Sequence, residues 1–347
     1  MNLAAFHDWL LRSIIVAGAA TGCVLLCPAG WRVRVRQVVP VVAFAVLIAL
    51  GAGLVRPLPA LEVKAPAILS AWAAAASEWI APWLVRMFAI VAALLLARTA
   101  AGAFAVAKLV RLSKPLRSRP WRKLLGECQR TLELRGRVRL MLAGPGFVPS
   151  ATGLFRRTVL LPDEAADWTH AQRRLVLLHE LGHFRRGDLW THALGQIACA
   201  VHWLNPFVWM LHRHLAVERE FACDALVVSR GAAPVDYATL LWKMGVAAQR
   251  PRILGRNPRL ASAACLAMAA PGGGKLEQRV RRILAPVREA GRLLRVADAA
   301  LCGCVALLLV ACASFKPVLV RAVLGTGPWS AAEIGARLSA DPFPGER

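Results

Sequence analysis

A chain of 347 residues with 57% hydrophobic residues and a mean hydropathy of +0.50 is too apolar for an ordinary water-soluble enzyme, so part of it is expected to lie in lipid. The net charge of +24 would suit a nucleic-acid-binding protein, but no nucleic-acid-binding motif accompanies it, and we expect no direct contact with nucleic acid. Nine scattered cysteines without zinc-ribbon spacing are interpreted as reduced and buried.

Four apolar segments are long enough to cross a bilayer, which needs about 20 residues of helix. In chain order they are 10–30, 38–55, 83–106 and 296–314. The third is the least regular, because Arg86 and Arg98 lie within or near it. The stretch 67–82 before it is interpreted as a separate amphipathic or re-entrant piece.

Basic residues follow the first and third segments, and this bias sets the expected orientation. They are Arg32, Arg34, Arg36, Lys108, Arg111, Lys114, Arg117, Arg119, Arg122 and Lys123. The positive-inside rule places both clusters in the cytoplasm. The chain then divides into a membrane region (1–106), a cytoplasmic domain (107–295), a last span (296–314) and a short external tail (315–347), and its environment is the lipid bilayer.

The segment 107–295 is the only one large enough for a folded catalytic domain. Short apolar runs at 138–143 and 158–162, bounded by Gly and Pro, predict strands, and the pattern after them is helical. The stretch 250–275, rich in Pro, Arg, Ala and Gly, is interpreted as a linker. The predicted fold is therefore a mainly α membrane protein with about four transmembrane helices and an α+β domain.

Two helix starts can be predicted from capping residues. Thr169 with Gln172 forms a capping box before an apolar run. Asn205 followed by Pro206 supplies an N-cap and a first-turn proline for a second helix, which Gly231 would terminate.

The first of these helices carries the run His179-Glu180-Leu181-Gly182-His183. Histidines four residues apart project from one helix face and can hold one metal ion, which indicates Zn²⁺. Glu180 would be near enough to a water molecule at the metal to act as its general base. The run therefore predicts metal-dependent peptide hydrolysis.

A catalytic zinc site uses a third protein ligand. The metzincin pattern is excluded because Arg186 and Leu189 occupy the positions where it needs Gly and His. Glu220 is predicted as the third ligand, with Asp224 on the same helix face to hold a ligand histidine in its tautomer. Four alternatives for the third ligand stay open, the first being Glu218 and the others His202, His212 and His214.

The stretch 194–211 carries no formal charge and could be interpreted as a fifth span. A full crossing would separate His183 from Glu220 by the bilayer, so the stretch must be buried, interfacial or re-entrant if Glu220 is a ligand. Asp188 and the pair Arg185-Arg186 are predicted to orient the motif helix or to contact lipid phosphates.

Five ordered motifs together resemble the BlaR/MecR-type antirepressor metallopeptidases. They lie at 153–162, 179–188, 205–206, 218–224 and 276–286, and the resemblance covers roughly residues 30 to 315. It implies a bacterial inner-membrane protein with four spans and a gluzincin-like zinc endopeptidase domain in the cytoplasm. That family cleaves a cytoplasmic repressor, often with self-cleavage, and so acts in signal transduction by regulated proteolysis.

The chain departs from that family in one respect. Members that sense β-lactams have a large external domain with a Ser-x-x-Lys motif, whereas the 315–347 tail is short and lacks it. We therefore expect no acylation by β-lactams. Two other functions stay open, namely a membrane quality-control or prenyl-protein-type zinc metalloprotease and a non-catalytic membrane transducer. Homodimerisation is compatible with the sequence.

Overall fold

The computed structural model describes residues 3–26, 33–52, 67–249, 274–285, 303–311 and 313–314. Its helices are α1 (Leu3–Leu26), α2 (Val33–Gly51), α3 (Ala67–Leu112), α4 (Arg119–Thr131), α5 (His170–Arg186), α6 (Asp188–Val201), α7 (Pro206–Ser229), α8 (Pro234–Gln249) and α9 (Gly274–Leu284), followed by helical residues at 303–311. A short 3-10 helix, Asp163–Asp167, precedes α5. The predicted linker at 250–275 lies almost wholly outside the described residues.

Two described helices are long and apolar enough to cross a membrane. These windows are Asp8–Leu25 in α1 and Pro82–Leu112 in α3, whereas the apolar part of α2, Arg36–Gly51, is shorter. They coincide with the first and third predicted spans. The last predicted span, 296–314, is described only in part, so a set of four spans stays a prediction.

The third helix differs from the sequence-based expectation. It runs without interruption from Ala67 to Leu112, so the interpretation of 67–82 as a separate piece is wrong. Pro82 lies inside the helix and removes a hydrogen-bond donor, but the alanine-rich sequence around it favours continuation. Trp83 and Phe104 on this helix are 69% and 68% exposed, as expected for side chains that face lipid.

The charge-free stretch 194–211 forms two helices instead of one span. The α6 helix ends at Val201, and α7 begins at Pro206 after a tight turn. Asn205 caps α7 by accepting a hydrogen bond from the Phe207 amide at 3.1 Å. His202, fully buried in the turn, lies 2.9 Å from the carbonyl oxygen of Leu47. His202 and Asn205 are thus buried in the turn, and α6 and α7 form a hairpin.

A four-stranded sheet supports the motif helix. Its strands are β1 (Lys114–Pro115), β2 (Arg139–Leu142), β3 (Ser150–Thr152) and β4 (Thr158–Leu161), in the order β1-β2-β4-β3. The central strands β2 and β4 are parallel, and the outer pairings are antiparallel. These positions confirm the strands predicted at 138–143 and 158–162.

The predicted helix signals are also confirmed. The Thr169 amide donates to Gln172 Oε1 at 2.9 Å, and the Gln172 amide donates to Thr169 Oγ1 at 3.3 Å, which completes the capping box of α5. The α7 helix ends two residues before Gly231, whose φ of +87° is a left-handed conformation that glycine adopts without strain.

Buried apolar side chains form two clusters. The sheet–helix core joins α4, α5, α8 and the sheet, with Leu124, Leu161, Leu177 and Leu178 among its members. The N-terminal cluster joins α1, α2, α6 and α7, with Val16, Phe44, Leu47 and Ala198 among its members. The α7 helix enters both clusters, since Leu211 and Leu215 belong to the N-terminal cluster and Val227 to the sheet–helix core.

Candidate active site

The candidate metal ligands come from two helices that pass close together. The α5 helix carries His179 and His183, and α7 carries Glu220. Gly182 permits the close approach, because a Cβ atom there would lie 3.2 Å from Leu226 Cδ2 and 3.4 Å from Cys223 Sγ. A larger residue at this position would push the two ligand-bearing helices apart.

The three side chains direct their donor atoms to one point. His179 Nε2 lies 3.6 Å from Glu220 Oε2, and His183 Nε2 lies 3.8 Å from Glu220 Oε1. One donor atom from each residue falls within 4.8 Å of the others. Two imidazole nitrogens and one carboxylate, with room for a further ligand, are the donor set of a catalytic zinc site. The residues therefore fit the metal that the sequence predicts.

The alternative third ligands lie elsewhere. Glu218 is buried beside Arg36, with 3.2 Å between Arg36 Nε and Glu218 Oε1. His214 lies next to this pair, 3.8 Å from the Glu218 carboxylate, and His212 stacks on His192. His202 is in the α6–α7 turn. The structure brings none of these four to His179 and His183.

His179 is held from behind by a chain of hydrogen bonds. Its Nδ1 atom lies 2.9 Å from the Tyr237 hydroxyl, which donates to Asp224 Oδ1 at 2.7 Å. Asp224 Oδ1 is itself 3.3 Å from Nδ1. Arg279 donates to both oxygens of Asp224, at 2.7 and 2.8 Å, and its Nη1 atom lies 3.0 Å from Glu220 Oε2. This arrangement fixes the ring so that Nε2 faces the ligand cluster.

His183 is held by neighbours of a different kind. Its Nδ1 atom lies 2.9 Å from Asp188 Oδ2, which also accepts from Arg186 Nε at 3.2 Å. Cys223 Sγ lies 3.3 Å from the same Nδ1 atom. His183, Asp188 and Cys223 could form a metal cluster of their own. Burial and the Asp188 charge raise the pKa of the Cys223 thiol, which disfavours the thiolate that a metal requires. These two groups are better suited to orienting His183.

The charges around His179 are strongly coupled. Burial lowers the pKa of His179, but the carboxylates of Asp224 and Glu220 outweigh it and raise that pKa to about 10. Removal from water raises the pKa of Glu220, but His179, Arg279 and His183 lower it further, to a value below its usual range. The Glu220 carboxylate is thus ionised at neutral pH.

Glu180 is the buried acidic residue next to His179. It follows His179 on α5 and is 6% exposed. Within the described part of the chain it makes no hydrogen bond or ion pair. Glu220 is 35% exposed, so solvent and substrate can reach the cluster from its side.

Two residues of the site were not identified from the sequence. Tyr237, the single tyrosine of the chain, lies on α8, and Arg279 lies on α9. The segment 276–286 was part of the family resemblance, but nothing in its basic sequence singled out one arginine. Asp224, predicted to hold a ligand histidine, lies behind His179, and Asp188, predicted to orient the motif helix or contact lipid phosphates, lies behind His183.

Comparisons with known proteins are consistent with this arrangement. A family model described as "BlaR1 peptidase M56" matches residues 54–266, which is more than half of the chain and includes α5 and α7. A curated relative, "Regulatory protein BlaR1" of Bacillus licheniformis, is 32% identical over 80 residues. That alignment covers 23% of this chain and only 13% of the relative.

Proposed function

The chain belongs to the BlaR1 peptidase M56 family, and from this membership we propose that it is a membrane-embedded zinc endopeptidase that cleaves a cytoplasmic transcriptional repressor. The family supports a membrane metallopeptidase in signal transduction. The observation that carries the finer proposal is the convergence of His179, His183 and Glu220, with Glu180 next to His179 along α5. The relative's description as a regulatory protein agrees with a role in regulated proteolysis.

The mechanism follows from the roles that these side chains can take. His179, His183 and Glu220 would hold the zinc ion, which when bound polarises a water molecule and the scissile carbonyl group. Glu180 accepts the proton that the water loses as its oxygen attacks the carbonyl carbon. Glu180 then donates this proton to the leaving amine as the C–N bond breaks, so the base is regenerated.

Metal analysis of the purified full chain tests the ligand assignment. We expect about one zinc ion per chain, and loss of that zinc in His183→Ala and Glu220→Ala. Glu218→Gln is the matched control on α7, because Glu218 is two residues away and contacts Arg36 instead. Retention of zinc by Glu220→Ala, or its loss in Glu218→Gln, would show that the ligand set is wrong.

Cells expressing the wild type or Glu180→Gln test the catalytic and substrate proposals together. The variant should keep zinc and lose proteolysis, and proteomics should show one cytoplasmic repressor cleaved only by the wild type. Cleavage of many unrelated membrane proteins would instead favour a quality-control protease. Identical proteomes with zinc bound in both would favour a non-catalytic transducer.

A further inference from the structure

A second site lies on the other side of α7. A cavity of about 430 Å³ opens between α2, α7 and α9. Its lining includes Arg36, His214, Glu218, Phe221, Arg281 and Arg282. Glu218 and Glu220 are two residues apart, so they project on nearly opposite sides of the helix. The cavity is therefore separate from the candidate metal centre.

Polar atoms without a hydrogen-bond partner converge on this cavity. Glu218 is 2% exposed, yet its Oε2 atom accepts no hydrogen bond from the described residues. Arg36 Nε and His214 Nε2 are also buried and make no hydrogen bond there, although Arg36 Nε forms an ion pair with Glu218 Oε1 at 3.2 Å. Buried polar atoms in this state raise the free energy of the protein, because they have lost hydrogen bonds to water without replacing them. A polar ligand that fills the cavity would satisfy them.

The charge of the lining indicates the sign of that ligand. Glu218 lies 3.2 Å from Arg36 Nε and 3.5 Å from Arg282 Nη1. The exposed Arg281 pairs with Glu277 at 2.7 Å, so three arginines stand against two carboxylates. His214 adds no charge, since burial and the nearby arginines lower its pKa to about 4 and keep it neutral. The positive excess favours an anion, and convergent guanidinium groups match the oxygens of a phosphate group.

The position of the cavity indicates where the phosphate comes from. Arg36 is the first residue of the apolar window Arg36–Gly51 of α2, which packs in the N-terminal cluster beside α1. The cavity therefore lies at the basic end of the helices that are expected in lipid. Arginines at this level of a membrane protein face the anionic headgroups.

We propose that the cavity between α2, α7 and α9 binds the phosphate headgroup of an anionic phospholipid. Arg36, Arg281 and Arg282 donate to the phosphate oxygens, and Glu218 accepts from a headgroup hydroxyl. Arg282 lies 3.9 Å above the Phe221 ring, which holds its guanidinium group over the cavity. The proposal does not depend on peptidase activity.

The test measures binding of short-chain phosphatidylglycerol to the purified full chain in detergent, with short-chain phosphatidylcholine and inorganic phosphate as comparison probes. We expect phosphatidylglycerol to bind tightest. The double variant Arg281→Gln/Arg282→Gln should weaken it by about tenfold or more, the range expected when charge-assisted hydrogen bonds are lost. The double variant Arg122→Gln/Lys123→Gln removes two exposed charges from α4 and should leave binding unchanged.

A third variant keeps the test decisive if the arginine changes disturb α9. Glu218→Gln removes the negative charge from the lining but keeps an acceptor, so it should tighten phosphatidylglycerol binding. Weaker binding in Glu218→Gln would overturn the assignment of an anion. Equal binding of phosphatidylglycerol and phosphatidylcholine would overturn it as well. If inorganic phosphate binds as tightly as phosphatidylglycerol does, the claim that the phosphate group belongs to a lipid would be wrong.

Discussion

The two histidines of the candidate site are held in different ways. His183 is oriented by Asp188, five residues further along the chain, across the short turn between α5 and α6. His179 is oriented by Tyr237, 58 residues away, together with Asp224 and, through it, Arg279. One half of the site forms with its local turn, whereas the other is complete only when α7, α8 and α9 have packed together.

The difference also concerns charge. Behind His183, the Asp188 carboxylate also accepts a hydrogen bond from Arg186, which in turn contacts Gln37 of α2. Behind His179, Arg279 spans Asp224 and Glu220, so one cation holds both the orienting residue and a candidate ligand. We therefore expect the His179 half to be the more sensitive to substitution.

Asp224→Ala should have the largest effect of the substitutions behind the histidines. It removes the acceptor of Tyr237 and leaves Arg279 buried with only Glu220 as its partner. Zinc affinity should fall by about a hundredfold, the upper end for residues that orient metal ligands. Chelator competition measures this loss. An effect smaller than that of Asp188→Asn would contradict the expectation that the His179 half of the site is the more sensitive to substitution.

Asp188→Asn should weaken zinc binding by about tenfold. The amide of the variant can still accept a hydrogen bond from His183 Nδ1, but it lacks the negative charge that pairs with Arg186. The same chelator competition applies, with Asp163→Asn on the 3-10 helix as a control for charge loss alone. If Asp163→Asn binds zinc as weakly as Asp188→Asn does, Asp188 has no specific role in orienting His183.

Tyr237→Phe should have a smaller effect, about threefold on zinc affinity, because Asp224 Oδ1 lies 3.3 Å from His179 Nδ1 and can accept its proton directly. The combined variant Tyr237→Phe/Asp224→Ala should then lose little more than Asp224→Ala alone, since both act through the same nitrogen. Additive losses would mean that the two residues orient different groups.

The smallest expected effect is a pH dependence of the thermal midpoint that arises from His179. Folding raises the pKa of His179 from 6.5 to about 10 in the metal-free protein. The stability contributed by its protonation is complete below pH 6.5 and is lost as pH rises towards 10. The thermal midpoint of the chelator-treated protein should therefore fall across this interval, and that of the zinc-loaded protein should fall less. Equal slopes would show that His179 keeps its proton when zinc is bound.

The sequence was sufficient for those parts of the site that depend on position along one helix. His179 and His183 share a face because they are four residues apart, and the same spacing relates Glu220 to Asp224. Tyr237 and Arg279 were missed because their roles arise from packing between helices. A single tyrosine, or one arginine in a basic helix, has no spacing that distinguishes it.

The fold shows the same limit. The strands at 139–142 and 158–161 and the capped starts of α5 and α7 follow from local patterns, and the structure confirms them. The continuity of α3 across Pro82 did not follow, because the effect of a proline on a long helix depends on its surroundings. The sequence left the arrangement of 194–211 open, and the structure shows a hairpin of α6 and α7 with its turn at 202–205.

The passage of α7 through both apolar clusters gives the metal a mechanical role. Both histidines are on α5 in the sheet–helix core, while Glu220 is on a helix whose first half is buried in the N-terminal cluster. A bound ion would therefore link the sheet–helix core to the N-terminal cluster. A slide of α7 by one residue, about 1.5 Å, would be a large fraction of the present 3.6 Å between His179 and Glu220. A displacement of the N-terminal helices that moves α7 would thus change the distances between Glu220 and the two histidines.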